Sequence, residues 1–173
     1  MQSADLRTCA LSGALFVAAN LGAANLEGMT IPGARFEQAR LQSAVLTGSV
    51  MPGASFHRAF LQYARLADIE WERADLREAN LTRVMFHLGS SRSGLVFGEP
   101  SEGTRTGFYT DDFNDQSYRS PEEIRVANLR GADLRGAVLR DTDFYLVDLR
   151  EARYTPEQEV YLRRCGAILE TRV

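Results

Sequence analysis

The sequence predicts an all-β solenoid, a four-sided coil of about 20 residues per turn. Three observations point to it. Every fifth residue from Leu6 to Phe86 is large and apolar, seventeen in succession (Leu6, Leu11, Phe16, Leu21 and so on to Leu76, Leu81 and Phe86). Two places before each stands a small or modest residue, which is Ala in twelve of the seventeen cases. The stretch "GMTIPGARF" from Gly28 returns twenty residues later as "GSVMPGASF" from Gly48, with Gly, Pro, Gly, Ala and Phe at the same offsets.

A helix places apolar residues three and four apart, and a flat strand alternates them strictly. A period of five fits neither as one continuous element, but it fits a short extended segment followed by a turn, repeated. Alternation puts the Ala and the large residue on the inward side. The intervening and following positions face outward or turn a corner. They are polar at Asp5, Arg7, Asn25, Glu27, Arg35, Glu37, Arg65, Asp75 and Arg77. Gly13, Gly28, Gly33, Gly48 and Gly53 fall at corners, where turns favour glycine. If the same corner returns every fourth unit, Phe16, Phe36 and Phe56 stack, and Pro32 and Pro52 point outward on one face. The rise per coil is then roughly 4.8 Å.

The first coil block runs over residues 4–88. Near its start, "CALSGALFVAANLGAA" after Arg7 resembles the apolar region and cleavage site of a signal peptide. The five-residue period accounts for each of those residues without export. The register fails at Ser91 and resumes at Leu129, and the 43 residues from Phe86 to Leu129 are not a multiple of five. About 38 residues therefore leave the coil and return. This excursion, 89–126, opens with the polar "GSSRSG" and carries the aromatics Phe97, Phe108, Tyr109, Phe113 and Tyr118. It ends in "SPEEI", where Ser120, Pro121 and Glu123 form a capping box for a short helical turn; the rival reading places Ile124 in the coil. The second coil block, 127–154, continues through Leu134, Leu139, Phe144, Leu149 and Tyr154. Residues 155–173 form a cap helix and tail: Thr155 caps, Pro156 opens, Gln158 closes the box and Gly166 stops the helix. Val160, Tyr161, Leu162 and Cys165 give that helix an apolar side.

Length fits one domain of 173 residues, and with 25% charged and 45% hydrophobic residues the chain is neither disordered nor membrane-embedded in type. All 20 basic residues are Arg, and the net charge of −3 implies no highly charged partner. That charge resides wholly in the excursion, since the acids and arginines of each coil block balance. Cys9 and Cys165 are too few for a disulfide framework, which points to a reducing, cytoplasmic setting.

The residues supply no catalytic constellation. His57 and His87 face outward on different sides with no partner evident from spacing, and no phosphate loop, dinucleotide fingerprint or zinc cluster occurs. Oxygens from Asp112 onward follow a calcium loop only in part, since Ser117 replaces its glycine. No cofactor or metal is expected. Arg residues interleave with acids along the coil, which disfavours direct nucleic-acid binding.

"ADLRT", "ANLEG", "ADLREANL" and "ANLRGADLRGAVL" resemble pentapeptide-repeat proteins over residues 4–88 and 127–154. The resemblance implies a right-handed quadrilateral parallel β-helix. Some members of that family mimic duplex DNA and protect type II topoisomerases such as DNA gyrase; they are strongly acidic, dimerise through their C-terminal ends and in some cases carry projecting loops. Here the first coil block holds eight acids and eight Arg. The favoured reading is therefore a rigid, non-enzymatic scaffold that binds a protein partner through the 89–125 excursion and adjacent faces. The contact residues it names are Phe97, Phe108, Tyr109, Asp111, Asp112, Phe113, Asp115 and Tyr118, with Phe60 and Tyr63 on the coil. Topoisomerase protection is the alternative, and self-association through the cap helix or the N-terminal end is a third reading. Phe60 and Tyr63 are also placed to stack on Arg40 and Arg83, one coil away.

Overall fold

A computed structural model describes residues 3–7, 11, 14–87 and 126–170. Within them the backbone winds into a coil of twenty residues. Parallel β-bridges join each outward residue to the residue twenty positions on, and they sort into four ladders. Ladder I runs Asp5, Asn25, Val45, Arg65, Met85, Asp143; ladder II runs Thr30, Val50, Glu70, Asn128, Asp148, Ile168. Ladder III runs Leu15, Arg35, Ser55, Asp75, Asp133, Arg153, and ladder IV runs Asn20, Arg40, Phe60, Asn80, Val138. Bridges that span the excursion join residues 58 apart instead of 20: Glu70 to Asn128, Asp75 to Asp133, Asn80 to Val138 and Met85 to Asp143. The coil thus passes over the insertion and keeps its phase.

The interior follows from the five-residue pattern. The alanines and the large residues two places after them are buried from Leu21 to Phe86. Phe16, Phe36 and Phe56 stack with ring centroids 4.8 and 4.9 Å apart and planes within 5°, which is the spacing of neighbouring strands. In the next coil this column holds the smaller Leu76. The Trp71 indole crosses from the adjoining column and takes the vacant face of Phe56 at 4.2 Å. An indole N–H buried there needs an acceptor. Ser49, standing where the pattern has Ala, supplies its Oγ at 2.9 Å.

Most corners are closed by a turn bond, for example Ala19 N–H to the Phe16 carbonyl at 3.0 Å. The second corner residue has positive φ throughout the coil, whether Gly48 or residues as different as Arg58, Tyr63 and Asp68. A Cβ on Gly48 would meet nothing within 4 Å, so Gly48→Ala is expected to cost only the left-handed strain, about 1 kcal/mol. Gly166 has φ 78°, and a Cβ there would sit 2.9 Å from the Tyr145 ring. Gly166→Ala is expected to cost at least twice as much; equal melting shifts for the two variants would contradict this.

Helix α1, Pro156–Cys165, begins at Thr155, whose hydroxyl accepts from the Gln158 N–H while Gln158 Oε1 accepts from the Thr155 N–H. Gly166, left-handed, ends it. Gln158, Tyr161, Leu162 and Cys165 face the coil. Val160 does not: it is 70% exposed, because it lies off the three-and-four spacing those four residues share. Gln158 Nε2 donates to the Leu134 and Ala137 carbonyls at 2.7 and 3.0 Å. The Tyr161 hydroxyl donates to the Thr142 carbonyl at 2.9 Å and accepts from the Thr142 N–H at 3.1 Å. Burial, with Cys165 beside it, pushes the Tyr161 phenol up, so it remains a donor. Beyond α1 the chain is more than a tail. Ile168 bridges to Asp148, and Leu169 is buried twenty places after Leu149. The ten helical residues replace two five-residue units, after which ladder II regains its rung.

Candidate interaction surface

Eight of the ten contact residues expected from sequence (Phe97, Phe108, Tyr109, Asp111, Asp112, Phe113, Asp115 and Tyr118) lie outside the described residues. So do the "SPEEI" turn, the oxygens from Asp112 onward, and Cys9. Phe60 and Tyr63 are described. Phe60 sits on ladder IV, 41% exposed, and Tyr63 follows on the adjoining corner, 49% exposed. The Arg83 guanidinium lies 5.9 Å from the Tyr63 ring centroid, within cation–π range. Arg40 is the ladder neighbour of Phe60. Among the described residues it forms no such ring contact, and it lines a surface depression with Ala18, Asn20, Gln38, Arg58 and Phe60.

One short motif recurs on the coil surface. In "Asp-Leu-Arg" the Leu points in, and the flanking Asp and Arg meet outside. Asp75 accepts from the Arg77 backbone N–H at 3.1 Å and from its guanidinium at 2.9 and 2.7 Å. The same arrangement recurs at Asp5 with Arg7, Asp133 with Arg135 and Asp148 with Arg150. The guanidinium holds the carboxyl of Asp5 down at about 2, and those of Asp75 and Asp133 below their ordinary value. At Asp148 burial raises the carboxyl, but Arg150 outweighs it and the net shift is downward. These groups are ionised in the folded chain at acidities where an unfolded chain takes up protons. Their contribution is present above the unfolded carboxyl value and is lost as pH falls through the depressed folded values. The urea midpoint is therefore expected to be flat above about pH 5 and to fall between about pH 4 and pH 2; a flat midpoint to about pH 2 would contradict it.

The histidines do not converge on a site. His57 Nδ1 donates to the Arg77 carbonyl at 3.0 Å, a partner one coil away that linear spacing hid. The His87 ring lies 6.5 Å from Tyr145. Among the described residues no group of three His, Cys, Asp or Glu is placed to hold a metal ion. No helix among them is long and apolar enough to cross a membrane.

A coil of parallel rungs with an inward Ala and Leu repeating every five residues defines a β-helical solenoid, right-handed as its structural neighbours are. The sequence matches the pentapeptide repeats in eight copies, over residues 19–58, 33–66, 54–87 and 127–153. Together these take in more than half of the chain, which belongs to the pentapeptide repeat family. No curated protein matches it in sequence. Among solved structures, a pentapeptide repeat protein of the Arabidopsis thaliana thylakoid lumen is similar at a TM-score of 0.50 and 21% identity, over 85% of this chain and 77% of that one. QnrB1, a plasmid-mediated fluoroquinolone resistance protein, aligns at a TM-score of 0.36 and 15% identity, over 99% and 97% of the two chains. HetL of the cyanobacterium Nostoc, involved in heterocyst differentiation regulation, aligns at 0.32 and 20% identity, over 98% of this chain and 70% of that one.

Proposed function

We propose that the chain is a single-domain, non-enzymatic scaffold of quadrilateral cross-section that binds a protein partner, with residues 89–125 and the adjacent faces as the recognition element. The observation that carries this reading is the register across the insertion. Ladders I to IV continue with the same pairing on both sides of it, so the rungs pair across the insertion without a strand from residues 88–125. A segment that supplies no rung to these ladders, and that holds all the net charge and five aromatics, has its use in recognition. The setting proposed is cytoplasmic, with pairing of two copies through α1 or the other end of the coil as a further reading.

Topoisomerase protection by DNA mimicry calls for an unpaired acidic surface. Here the motif carboxylates Asp5, Asp75, Asp133 and Asp148 are neutralised by Arg7, Arg77, Arg135 and Arg150. That favours a protein-binding scaffold whose partner is chosen by local contacts. Capture of partners from a bacterial lysate, with and without the excursion, tests the proposal. Capture that is independent of the excursion would contradict it, and a topoisomerase subunit held only by the full chain would restore the alternative.

A further inference from the structure

Ladder IV differs from the other three in what it shows to solvent. Ladders I, II and III each carry two carboxylates among the described residues: Asp5 and Asp143, Glu70 and Asp148, Asp75 and Asp133. Ladder IV carries none. Among the described residues the rung carboxylates thus fall on three ladders and not on the fourth, because residues twenty apart share a face.

The polar groups of ladder IV are donors. The Asn20 side-chain oxygen accepts from the Gly22 N–H at 3.3 Å, and that of Asn80 accepts from the Thr82 N–H at 3.0 Å. Each amide turns its oxygen to its own corner, which leaves its NH2 to donate to an outside acceptor. Arg40, between Asn20 and Phe60, forms no ion pair among the described residues, whereas Arg58 on the flanking corner is held by Glu78 at 2.8 Å. Beside these donors stand two apolar side chains, Phe60 at 41% and Val138 at 45% exposure. A cation that forms no ion pair among the described residues, next to an exposed ring, is the composition of an interface anchor.

We propose that ladder IV docks an acidic, extended segment of a partner protein, its carboxylates on Arg40 and Asn80 and an apolar side chain between them on Phe60. This rests on the protein-binding reading above and adds the chemistry of the partner. The spacing supports it. Arg40 and Asn80 are two rungs apart, about 9.6 Å, and an extended segment facing the coil presents its residues i, i+2 and i+4 over about 13 Å, a difference that the long Arg40 and Glu side chains take up. The carboxylate–guanidinium contact is charge-assisted, and the apolar contact on Phe60 keeps water from it.

The test is fluorescence anisotropy of the full chain with a fluorescein-labelled peptide carrying Glu, Leu and Glu at positions i, i+2 and i+4, which share one face of an extended chain. A matched Lys peptide and a short DNA duplex serve as competitors. The acidic peptide is expected to bind, and Arg40→Glu to weaken it about tenfold or more. Phe60→Ser is expected to weaken it severalfold, and both exposed substitutions should leave the melting temperature within a few degrees. Binding unchanged in Arg40→Glu, no binding of the acidic peptide, or displacement by the duplex at lower concentration than by unlabelled peptide would each overturn the assignment. Partner capture lost on removal of the excursion but retained in Arg40→Glu would also overturn it while leaving the scaffold reading intact. The reverse pattern would sink that reading and keep this one.

Discussion

Trp71→Ala is expected to lower stability by about 4 kcal/mol, one of the largest effects of any single substitution in the coil. The indole is fully buried, covers Phe56 at 4.2 Å and donates to Ser49 Oγ. Its removal leaves a cavity beneath Leu76 and orphans a hydroxyl that is 0% exposed. For a chain of this size the melting temperature should fall by roughly 8–16 °C. Two milder variants separate the causes. Trp71→Phe keeps a ring on Phe56 and loses the N–H, while Ser49→Ala keeps the ring and strands the N–H; each is expected to cost about 1–3 kcal/mol. Because they break the same bond, the double variant should cost less than the sum. Strict additivity would show that the hydrogen bond contributes nothing.

The second large effect is expected from removing residues 88–125, on binding and not on folding. Joining His87 to Val126 places Leu129 five residues after Phe86, so the inward pattern continues unbroken. Val126 then falls on the second corner position, where φ is positive throughout the coil. A β-branched residue is strained there, so the deletion should be made with Val126→Gly. That variant is expected to melt within a few degrees of the full chain. The deletion without the glycine should be less stable by about 1–2 kcal/mol.

The sequence disclosed the coil because its signal is redundant: seventeen inward residues at one spacing leave a single phase, and the echo at twenty residues sets the coil length. The extent of the insertion followed from the same phase. Beyond that, periodicity misled in identifiable ways. Val160 read as part of an apolar side, yet only Gln158, Tyr161, Leu162 and Cys165 share a helical face. The rung at Ile168 and Leu169 went unseen because a helix of ten residues hides two units of five without shifting phase. The twenty-residue period set Phe60 beside Arg40, but the absence of carboxylates from ladder IV went unread, because it emerges only when whole ladders are compared. Ser49 was the most informative departure from Ala, and its partner Trp71 lies one coil above. The contact residues of the excursion rest on composition alone, and composition supplies no register.

If the coil presents a separable recognition segment, folding and capture must come apart when that segment is removed. The most direct measurement compares capture from a bacterial lysate by the full chain and by the in-phase deletion of 88–125 with Val126→Gly, after thermal melts of both. Two cooperatively folded proteins of similar stability are expected, of which only the full chain retains its partner. A deletion that fails to fold, or that folds and captures the same partner equally well, would contradict it.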